Sequence, residues 1–310
     1  MKVNPNLRLR AMERADWAAV AALVHDSTNA WYEGHGMRAV FGAGPESTLL
    51  FCEQYEALDP GGCLLAEDAA TGVLAGSCFW RQRDTHLALG IMNVAPAFFG
   101  RAVARTLLDA VIARADEAGL PLRLVSSALN LDSYALYTRA GFVPRAVYQD
   151  MVLPGGVEGI EAPGLERIRP ARPDDLTAIV RLARELEGLD RGRDYTHFLA
   201  DETDIWNVSV LEEPNGALAG AVASIAHPGS TMIGPGVAPT ESDAAALILA
   251  ELRHRAGHSP VVLVPAHCAE LVATMYGWGA RNVELHVHQC RGEWAAPAGV
   301  SIPTFMPESA

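Results

Sequence analysis

The stretch VAPAFFGRAVARTLLDAV, residues 94 to 111, reads as the end of a strand, a turn and the beginning of a helix. Pro96 ends the apolar run before it, and helical spacing of leucine and valine resumes a few residues later. The first N–H groups of a helix have no partner within it and lie at the positive end of its dipole. Because Gly100, Ala102 and Ala104 are small, the stretch predicts a place where a phosphate can reach backbone amides. The alternative is a tight turn with close helix packing.

A second informative stretch is LRLVSSALNLDSYALYTRAGFVP, residues 122 to 144. It predicts a buried strand, then Asn130, then a short helix that Gly141 ends. Tyr134 and Tyr137 fall on adjacent turns of this helix. A tyrosine in such a helix is either half-buried packing or a group that meets a ligand, and the residues alone leave both interpretations open.

The two halves of the chain repeat the same pattern of strands and helices. Four stretches recur in the same order, namely residues 9–24 with 168–183, 64–80 with 208–224, 91–111 with 233–252, and 121–142 with 260–281. The shared order of strand, helix, long segment, hairpin, strand, helix, strand, helix and strand predicts an α/β fold used twice.

Proline and glycine divide the chain. The segment MVLPGGVEGIEAPGLERI, residues 151 to 168, has no periodicity and contains several glycines and prolines. We therefore predict a first domain, a linker, a second domain and an irregular tail, with the bounds 1–153, 154–165, 166–292 and 293–310.

Two motifs together resemble those of a known family. VAPAFFGRAVARTLL is similar to the acyl-CoA signature of the GNAT acetyltransferases, V-x-P-x-x-R-G-x-G-x-G/A-x-x-L-L. NLDSYALYTRAGF is similar to their later motif, N-x-x-A-x-x-LY-x-x-x-GF. The resemblance covers residues 7–150 fully and 166–292 weakly. It implies two tandem GNAT-like domains of the α/β (α+β) class, each a mixed, mostly antiparallel sheet with helices on both faces.

The resemblance also implies an activity, acetyl transfer from acetyl-CoA to an amine. Two strands, ending near Val94 and Ser127, would part so that pantetheine lies between them, bonded by the backbone of Met92 and Val94. Asn130 would contact the pantetheine arm, and Tyr137 would give a proton to the departing thiolate. The residues implied to hold the pyrophosphate are Phe99, Gly100, Arg101, Ala102, Val103 and Ala104.

Two positions of the first motif depart from the family pattern. Phe99 stands where the family has a basic residue, and Ala102 stands where it has a glycine. Because an alanine amide still donates a hydrogen bond, we expect binding to persist with a somewhat altered fit.

The general base is not evident from the motifs. The strand positions where the family often carries a base hold Ala88 and Val125. His86 shares a strand face with Ala88 and is the first candidate, with a half-exposed structural histidine as the alternative. Glu33 is the second candidate, within the segment TNAWYEGHGMRAVFG of residues 28–42. This aromatic and acidic segment suits a cationic or amphipathic amine, or else is a loop that packs its own aromatic rings.

The second half keeps the pattern and loses the predicted anion site. Asp243 aligns with Gly100, and Glu241 lies at the same helix start, where acids repel a pyrophosphate. We therefore predict a degenerate, non-catalytic copy that covers the first domain or replaces a dimer partner. His286 and His288 share a strand face, but no third ligand is evident nearby, so no metal site is predicted.

The amino-acid composition limits the classes of partner that we expect the chain to bind. The formal net charge of −13 argues against nucleic acid and anionic membranes and suits a small amine. The five cysteines are scattered without a CxxC pair, and no apolar leader or membrane span is evident. We therefore expect a reduced, cytoplasmic monomer or homodimer that binds acetyl-CoA and an amine acceptor.

Two other classes of function stay open on the sequence alone. A non-catalytic acyl-CoA-binding or sensing module would keep the phosphate turn and lack a base. A nucleotide-binding α/β protein is disfavoured because G-x-G-x-x-G and G-x-x-x-x-G-K-[ST] are both absent.

Overall fold

The computed structural model describes residues 5–153, 156–201 and 203–305. The helices in these ranges are α1 (Trp17–Gly34), α2 (Leu49–Leu58), α3 (Val103–Ala118), α4 (Leu131–Arg139), α5 (Leu176–Glu187), α6 (Gly192–Leu199), α7 (Glu241–His254) and α8 (Ala269–Gly277). The strands are β1 (Leu7–Ala11), β2 (Cys63–Asp68), β3 (Leu74–Gln82), β4 (Leu87–Val94), β5 (Leu122–Ser127), β6 (Val143–Val152), β7 (Ile168–Pro170), β8 (Trp206–Glu212), β9 (Leu218–His227), β10 (Ser230–Ala238), β11 (Val261–Pro265), β12 (Arg281–Arg291) and β13 (Val300–Ile302).

The strands form one continuous sheet through both halves of the chain. Its order is β1-β2-β3-β4-β5-β12-β6-β11-β10-β9-β8-β7, with β13 paired to β10. The pairs β4–β5 and β10–β11 are parallel and the others are antiparallel, so the predicted mixed, mostly antiparallel sheet is confirmed.

The last strand of each half is exchanged with the other half. β12 of the second half lies between β5 and β6 of the first, with His286 opposite both Ser127 and Tyr148. β6 in turn pairs with β11, with Tyr148 opposite Pro265. The predicted division between residues 153 and 166 therefore divides the chain into two similar halves, but it does not divide the sheet. Residues 154–155 of the predicted linker lie outside the described residues.

Helices cover both faces of the sheet, as predicted. Alternate residues of a strand point to opposite faces, so Leu263 packs into one core and its neighbours Val262 and Val264 into another. The first core is closed by α1, α2, α5 and α6, and the second by α7 and α8. A third core, under α3 and α4, is built on β2 to β5.

The central parallel pair of each half splays apart. β4 and β5 pair only at Leu87–Leu122 and Ala88–Arg123, and the strands diverge towards their carboxyl ends. β10 and β11 pair only at Met232–Val261 and Ile233–Val262. Each half therefore has a cleft between two strands, at the edge where the following helices begin.

The cleft of the second half is occupied by the chain itself. β13 pairs with β10 through Gly236–Ile302 and Ala238–Val300. The tail predicted to be irregular from residue 293 therefore contains a strand, which is a correction to the sequence analysis. None of the helices in the described ranges combines the length and apolar character needed to cross a bilayer.

Candidate active site

A cavity of about 720 Å³ opens at the cleft of the first half. Its wall is formed by α1, the end of β4, the turn before α3, the end of β5 and the start of α4. The structure brings together here eight residues that the sequence assigns to acetyl-CoA, namely Met92, Val94, Phe99, Gly100, Ala102, Val103, Ala104 and Asn130.

The turn before α3 presents backbone donors to this cavity. A short 3₁₀ turn over Pro96–Phe98 leads to Gly100 and Ala102, both in the left-handed region with φ of +73° and +61°. α3 then begins at Val103. Because the first amides of a helix have no partner within it, this end of α3 is suited to an anion.

The set of available amides differs from the prediction. The Phe99 amide donates to the Pro96 carbonyl and the Arg101 amide to the Phe98 carbonyl, each at 3.2 Å. These two N–H groups are therefore engaged within the turn. The amides of Gly100, Ala102, Val103 and Ala104 have no acceptor among the described residues.

Side chains around the turn complete its charge and shape. The Arg101 guanidinium lies 5.3 Å from the ring centroid of Phe98 and, unlike its neighbours, is not part of the cavity wall. Arg105 and Arg139 do line the cavity, and Arg105 is paired with Asp109 one helical turn away at 2.7 Å. Arg139 was not among the residues predicted for the site.

The opposite wall is the start of α4. Asn130 caps this helix, since its Oδ1 accepts from the Ser133 amide at 2.9 Å, which leaves Nδ2 as the atom able to donate to a ligand. Tyr137 is buried, with 6% of its surface exposed, and its ring lies 5.8 Å from that of Phe142. Leu136 lines the cavity and Tyr137 lies behind it, so the proton-donor role of Tyr137 stays a prediction.

Asn93 is a polar residue of the wall that the sequence analysis missed. Its Nδ2 donates to the Ser27 Oγ at 2.7 Å and to the Thr28 Oγ1 at 3.2 Å, which ties β4 to α1. Its buried Oδ1 has no hydrogen-bond partner among the described residues. A ligand N–H that reaches this oxygen would satisfy it.

A carboxylate from the second half lies directly behind the cavity wall. The Tyr32 hydroxyl donates to Glu284 Oε2 at 2.9 Å, and the Ser127 hydroxyl donates to Oε1. Tyr32 and Ser127 both line the cavity. Burial, followed by the charges of Glu284 and Asp150, raises the pKa of Tyr32, so this hydroxyl stays protonated.

Glu284 stands beside a buried pair of titratable groups. The His286 ring Nδ1 lies 2.9 Å from Asp150 Oδ1, and Asp150, Glu284 and His286 each place one ligand atom within 4.8 Å of the others. The expectation that His286 lacks further ligand groups nearby is therefore wrong, because the exchange of β6 and β12 brings Asp150 and Glu284 beside it. His286 and Asp150 are hydrogen-bonded to each other, and Glu284 is held by Tyr32 and Ser127.

The two bases predicted from the sequence lie elsewhere. His86 is 2% exposed and precedes β4 at the end opposite to the cavity, about 20 Å from Met92 along an extended strand. Burial, and then the charges of Arg123 and Arg191, hold the pKa of His86 well below its usual value. Glu33 is exposed in the last turn of α1 and is not part of the cavity wall. Assigning His86 as the base was wrong, whereas the assignment of Glu33 stays a prediction.

The corresponding helix start in the second half is closed to anions by its own acids. Thr240 caps α7 by accepting from the Asp243 amide at 3.1 Å. The Asp243 carboxylate is paired with Arg167 at 2.5 Å, and Glu241 accepts from the Leu271 amide at 2.7 Å. Together with β13 in the cleft, these contacts support the prediction of a degenerate copy.

Residues 22–142 match the model of the acetyltransferase (GNAT) family, so this segment belongs to the GNAT acetyltransferases. The sequence has no match among curated proteins.

Solved structures share the fold of the whole chain at low sequence identity. A Pyrococcus horikoshii protein named as an acetyltransferase is 15% identical with a TM-score of 0.76, over 97% of this chain and 96% of its own. A GCN5-related N-acetyltransferase of Sphaerobacter thermophilus is 19% identical with a TM-score of 0.66, over 95% and 98%. Saccharomyces cerevisiae N-myristoyltransferase, solved with myristoyl-CoA, is 8% identical with a TM-score of 0.61, over 96% and 81%.

Proposed function

We propose that the first half transfers an acetyl group from acetyl-CoA to the amine of a small acceptor. The observation that carries the proposal is one cavity that joins two kinds of group. At one end are the amides of Gly100, Ala102 and Val103, and at the other are Tyr32 and Ser127, which hold the Glu284 carboxylate.

The backbone at the end of β4 is placed to bind the acyl arm of acetyl-CoA. Met92 and Val94 pair with β3 on one side, opposite Cys78 and Gly76. On the other side the strands have parted, so these residues have no pairing with β5 among the described residues. An extended pantetheine arm can therefore add to this edge as a strand would, with Asn130 Nδ2 across the cleft.

Glu284 is the general base of the proposal. An attacking amine must lose a proton as its nitrogen bonds the acetyl carbon and the carbon–sulfur bond breaks. Glu284 takes that proton, directly or through a water or the Ser127 hydroxyl, and the thiolate takes one from Tyr137. Because Tyr32 and Ser127 both donate to the carboxylate, they fix its position.

The second half takes the place of a partner subunit. β12 covers the edge of β5 that would otherwise be unpaired, and it is the strand that carries Glu284. Trp31 and Tyr32 line the acceptor side of the cavity. Aromatic faces and a nearby carboxylate suit a cationic amine, consistent with the net charge of −13.

Calorimetric titration of acetyl-CoA into wild type and Gly100→Glu tests the cofactor assignment. A carboxylate at residue 100 lies at the amide-lined turn and should abolish binding of the pyrophosphate. Gly216→Glu is the matched control, because Gly216 has a similar φ of +83° and its added side chain also meets open space. Absence of binding to wild type would refute the proposal.

Release of CoA thiol from acetyl-CoA over a panel of amines tests the base. Glu284→Gln should lower kcat by about 10²-fold or more at unchanged acetyl-CoA affinity. Glu33→Gln tests the rival base in the same assay, and Glu270→Gln is a control at the start of α8. Thiol background is low because all five cysteines are buried. Binding of acetyl-CoA without thiol release for any amine would favour the acyl-CoA-binding module instead.

A further inference from the structure

We propose that a second cavity, separate from the acetyl-CoA site, binds a small organic monocarboxylate. This cavity of about 680 Å³ lies between β6, the end of β12, the end of α5 and the segment before β13. Arg123 and His288 are buried polar groups of its wall, and we call it the Arg123 cavity. The carboxylate of the ligand would accept hydrogen bonds from both Arg123 and His288.

Among the described residues, Arg123 is a buried cation without an ion pair. Arg123 is 7% exposed, and no carboxylate oxygen in residues 5–153, 156–201 and 203–305 lies within 4.0 Å of its guanidinium nitrogens. Arg123 donates a hydrogen bond to the sulfur of Cys290, which stands opposite it across β5 and β12. Because a buried charge without a counter-ion is costly, an anion that enters the cavity gains from pairing with it.

His288 is a second buried group with an unmet hydrogen bond. It is 4% exposed, and its Nε2 has no partner in the part of the chain that the structure describes. Burial, followed by the charges of Arg123 and Arg145, lowers the pKa of His288 to about 3, so the ring is neutral. His288 lies two residues before Cys290 on β12, on the same face of the sheet as Arg123. A neutral imidazole can donate one N–H to the anion without adding a charge.

The acid in the cavity wall is already neutralised. The Glu187 carboxylate is held by the Arg191 guanidinium, with one contact at 3.2 Å, and by the Ser301 hydroxyl at 2.8 Å. Among the described residues of the wall, one buried guanidinium, that of Arg123, is therefore left to balance one negative charge. The Arg145 guanidinium also lines the cavity, but it is exposed and its charge is screened by water. The one buried guanidinium therefore favours a monoanion over inorganic phosphate, which carries up to two charges at neutral pH.

The remaining wall of the cavity favours an organic body on the ligand. It is largely apolar, with Trp294, Pro297 and Leu189 among its residues. The Arg145 guanidinium lies 5.2 Å from the ring centroid of Trp294. An apolar or aromatic group attached to the carboxylate would fill this space and pack against the Trp294 ring.

The Arg123 cavity is linked to the acetyl-CoA site by two strands. β5 carries Arg123 and Ser127, and β12 carries His288 and Glu284. Each strand therefore contributes to both places, at positions four residues apart on the same face. The carboxylate site does not depend on the proposed acetyl transfer, and its test below contains no acetyl-CoA.

Calorimetric titration of the full chain with phenylacetate, a monoanion with an apolar body, tests the proposal. Phenylacetate should bind wild type, and its uncharged isostere phenylacetamide should bind about tenfold or more weakly. Arg123→Gln should weaken phenylacetate binding by a similar factor. Arg181→Gln removes an exposed guanidinium on α5 and should bind phenylacetate as wild type does.

A second variant covers the case in which Arg123→Gln does not fold. Ala266→Trp places a bulky ring on an exposed residue of the cavity wall and keeps both buried polar groups. It should block phenylacetate binding. The proposal is overturned if phenylacetate does not bind wild type, if Ala266→Trp binds it equally well, or if inorganic phosphate binds as tightly.

Discussion

Asp194 is expected to hold the two halves of the chain together through a buried ion network. It lies on α6 in the second half. Its carboxylate contacts Arg81, on β3 of the first half, at 2.9 Å, and Arg83, directly after β3, at 2.5 Å. Asp194 and Arg81 are each 1% exposed. Arg83 has a second partner in Asp59, at 2.7 Å, whereas the ion pair of Arg81 among the described residues is the one with Asp194.

Asp194→Asn keeps the shape of the side chain and removes its charge, which leaves Arg81 buried beside a neutral amide. Removing one partner of a buried pair costs about 3–5 kcal/mol of unfolding free energy. Exposed pairs contribute far less, so Glu185→Gln, which breaks the exposed pair with Arg181, should cost below about 0.5 kcal/mol. Urea denaturation at neutral pH measures both changes.

The pH dependence of stability is an independent test of the contribution of the Asp194 charge. Burial opposes ionisation of Asp194, but the charges of Arg81, Arg83 and Arg191 outweigh it and lower the pKa from 3.8 to about 2. A depressed carboxyl pKa stabilises the fold above the unfolded value and loses that contribution as pH falls from about 4 towards 2. The linked free energy is about 2 kcal/mol. Wild type should therefore lose stability over this range more steeply than Asp194→Asn.

A double variant distinguishes the contribution of the ion pair to the free energy of unfolding from that of side-chain packing. If the charge of Arg81 causes the loss, Arg81→Met combined with Asp194→Asn should be less destabilised than the sum of the single variants, by more than about 1 kcal/mol. A cost below about 1 kcal/mol for Asp194→Asn, or additive single effects, would contradict the reasoning.

Further variants test the clefts. Ala102→Gly removes a Cβ from a left-handed residue with φ of +61°, so unfolding free energy by urea denaturation should stay within about 1 kcal/mol of wild type, whereas Gly100→Ala at φ of +73° should lose about 1–2 kcal/mol. Tyr137→Phe should lower kcat by about 10²-fold with acetyl-CoA affinity kept, as measured by thiol release and calorimetry. Gly299→Val brings a Cβ into the Ala238 carbonyl oxygen and should displace β13, yet calorimetry should still count one acetyl-CoA per chain. Binding of two acetyl-CoA molecules per chain would contradict the prediction that the second half is a degenerate copy.

Local patterns in the sequence predict the helices and strands and the turn before α3, several of whose amides have no acceptor among the described residues. Small residues after Pro96 and the capping position of Asn130 are local features, and the structure places both at one cavity. Periodicity also placed His86 on the same strand as Ala88, whereas His86 directly precedes β4 at the end opposite to the cavity. An alternating pattern predicts the face of a strand and not the distance of a residue from a cleft.

The strand exchange could not be read from the sequence. The segment VELHVHQ places Glu284, His286 and His288 on alternate positions, a pattern typical of a strand with one polar face. Which strands it lies between is set by pairing with β5 and β6, which are distant along the chain. Glu284 was therefore missed, although its polar alternation was the signal that could have marked it.

The exchange lets a half whose own cleft is filled still contribute to the cavity of the other half. In the second half β13 fills the cleft and acids occupy the start of α7, so that half no longer needs to open for a cofactor. Its strand β12 still covers β5 and supplies the carboxylate beside Ser127. Substitutions in the second-half cleft are therefore free to stabilise packing, whereas changes to Glu284 or to the register of β12 act on the first-half cavity. A cavity shared in this way constrains the second half through one strand rather than through the second half's own filled cleft.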